Sequence, residues 1–434
     1  MPRHISGAAA AALIIAAGCN LDTTNPNAPT QEAIFASREG IVALAVGLQA
    51  RYGAGLSEFI YPNGLITDEL GTPTGALQSY KDAETGVLSD TYDAVEGPWR
   101  SHYRTIKTAD DLIANVPNAN LGDATLSGVL SLAYLLKAAS LGELLQQYQQ
   151  ILLAPDAPSF VARPVALAAV TALLDSSLTQ FNRVGARPEF SGSILARGLD
   201  LRNTIYAMMA RYQRIAGNNA AALAAANLVD TSVVSVMPFS EQALNPVFDL
   251  SSRASYVRPR DTLRVTAEPG DARVAFHIAG PTVAGTIRPI RSFAQYPLAT
   301  APIALYYPGE ILLIRAEALA NTGSVAAAAA LVNVVRTRCG GASNQPKACL
   351  AALPASSLAT REQVIAEVYR QRQFELFGTG LRWEDTRRLG VVSATSPFAK
   401  RCWLLYPNSE RNTSTIVPAN PPGDPPASFS NCSA

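Results

Sequence analysis

Residues 364–390 read VIAEVYRQRQFELFGTGLRWEDTRRLG, and this stretch predicts more about the fold than any other part of the chain. Its first half has apolar residues at helical spacing, with Ile365 and Tyr369 four positions apart on one stripe. Gly378 and Gly380 follow, and glycine adopts the left-handed conformation that commonly ends a helix. The stretch therefore predicts a helix that ends at a glycine turn.

Charged residues surround one large aromatic residue, Trp383, directly after that turn. We expect Arg372 and Glu375, three positions apart on the helix, to form an ion pair. Because nothing in the stretch pairs a nucleophile with a base, the sequence favours a structural corner of the fold over a catalytic site. The residues assigned to this structural signature are Arg372, Glu375, Gly380, Arg382, Trp383, Asp385 and Arg388.

This spacing resembles the C-terminal signature of the SusD/RagB family of outer-membrane nutrient-binding lipoproteins. That signature is an Arg, then Glu-Leu, then Gly-x-Arg-Trp-x-Asp and a closing Arg. In this chain the matching positions are Arg372, Glu375-Leu376, Gly380, Arg382-Trp383, Asp385 and Arg388. Gln371 and Thr379 depart from it, since family members commonly carry Glu there. The resemblance implies a mainly α-helical binding protein, with no cofactor and no enzymatic activity.

The N-terminus predicts export. Residues 1–18 have a basic start and a short apolar run, typical of a signal peptide. The run ends in Ala-Ala-Gly before Cys19, which looks like a lipoprotein cleavage site with Cys19 as the lipidated residue. The alternative is an ordinary secretory signal with an accidental cysteine. Residues 19–30 are polar, contain two prolines and predict a flexible tether.

Composition limits the possible partners of the mature chain. The net charge of +1 gives no electrostatic footprint for nucleic acid. Apolar residues make up 48% and charged residues 16% of the chain, which predicts a large buried fraction. Residues 31–434 are expected to form one helical binding domain, with an N-terminal half at about 31–230 and a loop-rich and C-terminal half at about 231–434.

Four cysteines remain if Cys19 is lipidated, and three pairings of them are possible. Sequence proximity favours Cys339 with Cys349 and Cys402 with Cys432, which closes one short loop and ties down the tail. A zinc site is the competing interpretation. It is disfavoured because the mature chain has only two histidines, His102 and His277, both far from the cysteines in sequence. No metal site is predicted.

Helical hairpins recur along the chain. Residues 195–216 and 219–228 form one predicted pair of helices, joined at a glycine. Residues 310–320 and 325–338 form another pair of the same design. Such hairpins are the unit of tetratricopeptide-type repeats, which stack to bury a continuous core. The predicted fold class is therefore mainly α, with tetratricopeptide-like hairpins, irregular loop excursions and a few short strands.

Two excursions interrupt the helices. Residues 231–306 contain eight prolines, and residues 57–89 form a second predicted loop. Because the apolar faces of the helices are needed for packing, the ligand site is expected on these excursions. The predicted ligand-binding residues are the loop aromatics and two polar neighbours: Tyr61, Asp68, Gln78, Tyr80, Tyr92, Phe293 and Tyr296.

The resemblance implies a surface-exposed lipoprotein that binds a nutrient, here a glycan, and delivers it to a TonB-dependent (SusC-like) outer-membrane transporter. A peptide-binding member of the same family and a periplasmic helical-repeat scaffold for other proteins are the alternatives. A glycoside hydrolase is a further alternative, because it needs two carboxylates across a cleft and pairs such as Asp68 with Glu69 exist.

Overall fold

The computed structural model describes residues 30–340, 343–389 and 401–421. Within these ranges the chain is built mainly from α-helices, as predicted. The helices are α1 Gln31–Ala36, α2 Arg38–Ile66, α3 Gln78–Thr85, α4 Asp93–Asn115, α5 Asp123–Gln147, α6 Arg163–Asn182, α7 Leu201–Ile215, α8 Asn219–Asn227, α9 Pro246–Phe248, α10 Thr262–Thr266, α11 Arg273–His277, α12 Pro308–Asn321, α13 Val325–Thr337, α14 Arg361–Glu375, α15 Arg382–Leu389 and α16 Asn408–Thr413.

Short strands pair antiparallel in four two-stranded ribbons of the described chain. Three of the ribbons involve the excursion at residues 231–306, which is irregular with short strands as predicted. The strands are β1 Leu70–Gly71, β2 Gln150–Ile151, β3 Val161–Ala162, β4 Val236–Met237, β5 Arg258–Pro259, β6 Ile278–Val283, β7 Ile290–Phe293 and β8 Ile303–Ala304, paired as β1 with β5, β2 with β3, β4 with β8 and β6 with β7.

The hairpins α7–α8 and α12–α13 form where the sequence predicted them, and each turn contains a glycine with positive φ. Helices α5 and α6 are each long and apolar enough to cross a membrane by length and composition alone. They pack against each other, however, and most of α5 is buried in the core. The largest apolar cluster runs from Ile41 in α2 to Tyr406 near α16, so both halves of the chain contribute to it.

Helix α2 continues far beyond the predicted end. Residues 57–66 were expected to be loop, but they are helical and buried, so that prediction is wrong. Pro62 lacks the N–H that would normally bond the carbonyl of Glu58. The amide of Gln147 donates to that carbonyl instead, at 2.9 Å. Tertiary packing therefore satisfies the backbone group that the proline leaves open.

The same glutamine connects α5 to the signature stretch. Its Nε2 also donates to the Oδ1 of Asn63, at 3.0 Å, and the Nδ2 of Asn63 donates to the carbonyl of Gly380, at 2.9 Å. Gly378 and Gly380 have φ of 69° and 82°, the left-handed region that glycine tolerates. Gly380 also abuts Phe59, where a side chain would have no room. The turn after α14 is thus fixed against α2.

A buried ion network joins α7, α12, α14 and α15. The carboxylate of Asp385 accepts from Arg372 at 2.6 Å and from Arg214 at 3.0 Å. Arg214 also lies 3.5 Å from Glu317, which pairs with Arg388 in turn. Burial alone would raise the pKa of Asp385, but the guanidinium groups of Arg372 and Arg214 outweigh it and hold that pKa below its usual range. Asp385 is therefore ionised and central to the network.

Two details differ from the expected pairing. Arg372 bonds Asp385 and not Glu375, so that predicted ion pair is wrong. The carboxylate of Glu375 instead meets Arg338 at 2.6 Å and Arg273 at 3.7 Å. The helix places Arg372 toward α15 and Glu375 toward α11, so each finds a partner on another element.

The remaining signature residues are also buried. The guanidinium of Arg382 lies 4.1 Å from the ring centre of Tyr369 and donates to the Oε1 of Gln373, at 3.2 Å. The indole N–H of Trp383 donates to the carbonyl of Arg401, at 2.8 Å. These geometries suit a structural role, which stays a prediction until variants are made.

Cys339 and Cys349 are joined by a disulfide, one of the two links that sequence proximity favours. The other predicted link, Cys402 with Cys432, stays a prediction because Cys432 lies outside the described residues, as does the predicted lipid site Cys19. The division of residues 31–434 into two halves also stays a prediction.

Replacing Asp385 with Asn should lower the free energy of unfolding by roughly 3–5 kcal/mol, because it leaves Arg372 and Arg214 buried without their counter-charge. Urea unfolding followed by circular dichroism measures this. The control is Asp123→Asn, which breaks an exposed pair with Arg183 (3.3 Å) and should cost less than about 1 kcal/mol. Equal effects of the two substitutions would contradict the central role of Asp385.

Candidate functional site

The folded chain buries some of the predicted ligand residues and leaves others at the surface. Tyr61 and Asp68 are buried. The Tyr61 hydroxyl donates to the carbonyl of Val247, at 2.6 Å. Asp68 has a φ of 63° and pairs with Arg260 at 2.8 Å and Arg288 at 3.3 Å. Both side chains are held in structural contacts.

Gln78, Tyr80 and Tyr92 lie together at the surface, on and beside α3. The amide of Gln78 donates to one oxygen of Asp82, at 2.7 Å, and the Tyr92 hydroxyl donates to the other, at 2.8 Å. The ring of Tyr80 stacks on that of Tyr256, with centroids 5.4 Å apart and an interplanar angle of 25°. We call Gln78, Tyr80, Asp82, Tyr92 and Tyr256 the tyrosine patch.

The phenols of Tyr80 and Tyr92 stay protonated at neutral pH. Burial, with smaller effects from Asp93 and Glu58, raises the pKa of Tyr80 to about 12. The hydrogen bond to Asp82 raises the pKa of Tyr92. Tyr80 and Tyr256 are each half-buried, so part of each ring remains open to solvent. The patch thus combines flat ring surface with neutral hydroxyl and amide groups.

Sequence reasoning missed two members of the patch. Asp82 is four residues after Gln78, the spacing at which helical side chains meet, so this contact could have been predicted. Tyr256 is more than 170 positions from Tyr80 in sequence, and no periodic pattern connects the two. Only the folded chain, which brings the two excursions together, reveals that partner.

Phe293 and Tyr296 form a separate pair, with ring centroids 5.3 Å apart at 62°. Both rings are buried, with 5% and 2% of their surface exposed. Burial raises the pKa of Tyr61, with smaller effects from Tyr80 and Tyr296. The structure therefore buries Tyr61, Phe293 and Tyr296, and among the predicted aromatics it leaves only Tyr80 and Tyr92 partly exposed.

Tyr296 borders a cleft of about 790 Å³. Its other lining residues include Val236, Phe276, Leu298 and Tyr307. Among the described residues that line it there is no Asp, Glu, Lys, Arg or His. We call this the uncharged cleft. It offers apolar surface and uncharged polar side chains to a ligand without fixed charge.

The carboxyl pair Asp68 and Glu69 lies beside a cavity of only about 20 Å³. That volume admits a water molecule but no sugar ring. Burial raises the pKa of Glu69 to about 8, although the Arg382 charge and the N–H of Gly378 act against the rise. A carboxyl with a raised pKa can serve as a general acid, but this pair has no space for a saccharide in the described structure.

A second buried carboxyl group contacts a histidine. Glu143 accepts from the Tyr52 hydroxyl, at 2.7 Å, and lies 3.4 Å from the Nδ1 of His102. Burial raises the pKa of Glu143 to about 7 and lowers that of His102 to about 3. The trio is enclosed by the core. In the described part of the chain, no group of three or more His, Cys, Asp or Glu side chains is placed to hold a metal ion.

Replacing Glu69 with Gln should raise the melting temperature at pH 8.5 and leave it nearly unchanged at pH 4.5. The folded-state pKa of Glu69 is raised above its unfolded value, so the parent loses stability as the pH rises from about 4.5 through about 8. An amide has no such dependence. Melting curves across this pH range test the prediction.

The control for that experiment is Glu241→Gln, an exposed position. Its difference from the parent should be small at every pH. A Glu69→Gln variant whose difference from the parent is the same at pH 4.5 and pH 8.5 would show that Glu69 does not titrate in this range.

The chain is similar to known proteins both in part of its sequence and in its structure. Residues 299–416 match the SusD family model. A SusD superfamily protein from Bacteroides thetaiotaomicron has a similar structure, with 15% identity, a TM-score of 0.69, and coverage of 88% of this chain and 99% of that one. No curated protein sequence matches the chain.

Two further structures are similar. B. fragilis NanU shares 15% identity, with a TM-score of 0.67 and coverage of 92% of this chain and 99% of that one. Surface glycan-binding protein A from Bacteroides thetaiotaomicron shares 12% identity, with a TM-score of 0.65 and coverage of 89% and 99%. At these identities the structures establish the fold, which agrees with the fold class predicted from the sequence.

Proposed function

We propose that this chain, which belongs to the SusD family through residues 299–416, is an outer-membrane lipoprotein that binds a glycan nutrient. It is anchored by a lipid on Cys19 and delivers the glycan to a TonB-dependent transporter. Membership of the family supports the nutrient-binding role. The name of one similar structure, a surface glycan-binding protein, supports the choice of a glycan.

The tyrosine patch is the observation that carries the glycan assignment. Sugar rings have apolar C–H faces and polar hydroxyl edges, so they suit a flat aromatic surface with hydrogen-bonding groups at its margin. Tyr80 and Tyr256 supply the surface, and Gln78, Asp82 and Tyr92 supply the polar groups. The patch carries one carboxylate and no basic side chain, and the pKa values of Tyr80 and Tyr92 are raised, which favours a neutral sugar over an anionic one.

We propose that four of the predicted ligand residues support the tyrosine patch from the protein interior: Tyr61, Asp68, Phe293 and Tyr296. Their buried contacts hold the segments that carry the patch, so we expect them to affect ligand binding through the fold. Tyr61→Ala should therefore lower the melting temperature, since removing a buried aromatic side chain costs about 3–5 kcal/mol.

Replacing Tyr80 with Ala should weaken binding of a glycan identified by array screening of the soluble mature chain. Truncating a central aromatic contact typically costs more than about 1 kcal/mol, or about fivefold in Kd. Isothermal titration calorimetry measures the change, and the melting curve should stay close to that of the parent. The matched control is Tyr134→Ala, a half-buried tyrosine on α5, which should leave Kd unchanged.

An unchanged Kd in Tyr80→Ala and Tyr256→Ala would overturn the assignment of the patch. Binding of peptides and of no glycan in the screen would instead favour the peptide-binding alternative, for which the uncharged cleft offers apolar surface.

Replacing Cys19 with Ala should remove the chain from the membrane fraction, because position 19 would have no thiol for lipid attachment. Cell fractionation followed by mass spectrometry of the N-terminus tests this. Membrane association that persists in the variant, with the signal peptide cleaved as in the parent, would contradict the lipid anchor.

A further inference from the structure

A second cleft, of about 650 Å³, lies between α2 and α4. Its basic lining residues are Arg51 from α2 and Arg100, Arg104 and Lys107 from α4. The segment around Leu152 and the start of α16 complete the wall. We call it the basic cleft.

Glycines determine how α2 and α4 meet. A Cβ on Gly55 would collide with the Ser101 side chain, and one on Gly97 would collide with the Glu58 side chain. Position 55 thus lies opposite 101 and position 58 opposite 97, which is an antiparallel register. The same register places Arg51 opposite Arg104.

These two arginines carry uncompensated charge. Arg100 pairs with Asp93 at 3.0 Å, and Lys107 pairs with Asp111 at 2.5 Å. Within the described chain, neither Arg51 nor Arg104 makes an ion pair or a side-chain hydrogen bond, and both are exposed. Positive charges carried at opposite positions of adjacent helices repel, and an anion between them relieves the repulsion.

The carboxylates of the basic cleft lie at its other end. Glu96 accepts from the Ser409 backbone N–H, at 3.1 Å, and Glu410 accepts from the indole N–H of Trp99, at 3.2 Å. Glu96 is eight residues before Arg104, which is about 12 Å along the helix axis. The charge of the cleft is therefore divided, with its positive part at Arg51 and Arg104.

Aromatic residues form the floor between these two ends. Trp99 and Tyr103 have ring centroids 4.6 Å apart and expose 5% and 8% of their surface. The Tyr103 hydroxyl donates to the carbonyl of Leu152 and accepts from its N–H, at 3.0 and 2.7 Å. The floor thus presents only a small part of either ring, with its phenol already hydrogen-bonded.

We propose that the basic cleft binds the carboxylate of an acidic sugar between Arg51 and Arg104, with the sugar ring over the floor formed by Trp99 and Tyr103. Arginine forks match a carboxylate with paired hydrogen bonds, and the apolar C–H face of a pyranose packs against aromatic surface. The choice of a saccharide as the ligand rests on the proposed function, and the choice of one with a carboxylate rests on the two arginines. Such a site would let one chain hold a neutral and an acidic part of a glycan at separate places.

Calorimetric titration of the full mature chain with D-galacturonate, D-galactose and inorganic phosphate tests the proposal. Galacturonate should bind saturably, galactose should bind at least tenfold more weakly, and added salt should weaken galacturonate binding. The double variant Arg51→Gln/Arg104→Gln should raise the Kd for galacturonate about tenfold or more, since hydrogen bonds to charged groups are among the stronger polar contacts.

The control is Arg183→Gln/Arg361→Gln, which changes the net charge equally at exposed positions elsewhere and should leave Kd unchanged. Melting curves verify that both double variants fold. Absence of galacturonate binding, or equal binding by the Arg51/Arg104 variant, would overturn the site. Phosphate binding as tight as that of galacturonate would overturn the assignment to a sugar.

Failure of this inference and failure of the proposed function give different results. The Arg51/Arg104 variant should keep the glycan affinity that Tyr80→Ala loses, and Tyr80→Ala should keep the galacturonate affinity. If either the Arg51/Arg104 variant or Tyr80→Ala lost both the glycan affinity and the galacturonate affinity, the two sites would not be separate.

Discussion

The ionised carboxylate of Asp385, held by Arg372 and Arg214, is the contact on which the C-terminal half of the structure depends. A charge buried in a protein interior is tolerated only when it is paired and hydrogen-bonded. Because its partners come from α7 and α14, the carboxylate fixes α15 against two helices at once. Any relative shift of these helices would leave a buried charge without its partner.

The network continues outward from this carboxylate. Glu317 on α12 pairs with Arg214 and also with Arg388, which lies on α15. Glu375 connects α14 to Arg338 after α13, close to the disulfide-linked loop. The interior of this half therefore combines apolar packing between helices with directional ionic contacts that specify which helices meet. The excursions rest on that frame and are free to carry side chains for binding.

Much of the frame could be predicted from the sequence, because helical periodicity and glycine turns are local signals. The hairpins α7–α8 and α12–α13 and the glycine stop after α14 all follow from such signals. The full length of helix α2 did not, since residues 57–66 were predicted to be loop and only the distant Gln147 explains how the helix tolerates Pro62.

The ligand residues were harder to predict for the same reason. An aromatic residue in an apparent loop is exposed only if no other segment covers it, and Tyr61 is buried whereas Tyr80 is only half-buried. The pairing of Arg372 with Asp385 instead of Glu375 is likewise set by the packing of α14 on α15. Burial and the choice of partner are tertiary properties that sequence spacing does not encode.

The close approach of α2 and α4 at Gly55 and Gly97 has a consequence for molecular recognition. Helices in contact at two points along their length cannot move apart to relieve strain between the side chains they carry. The backbone positions of Arg51 and Arg104 are therefore set before any ligand arrives, and only side-chain rotation remains to be lost on binding. Folding has therefore already restricted the backbone of these two residues, and less conformational entropy is lost when a ligand binds.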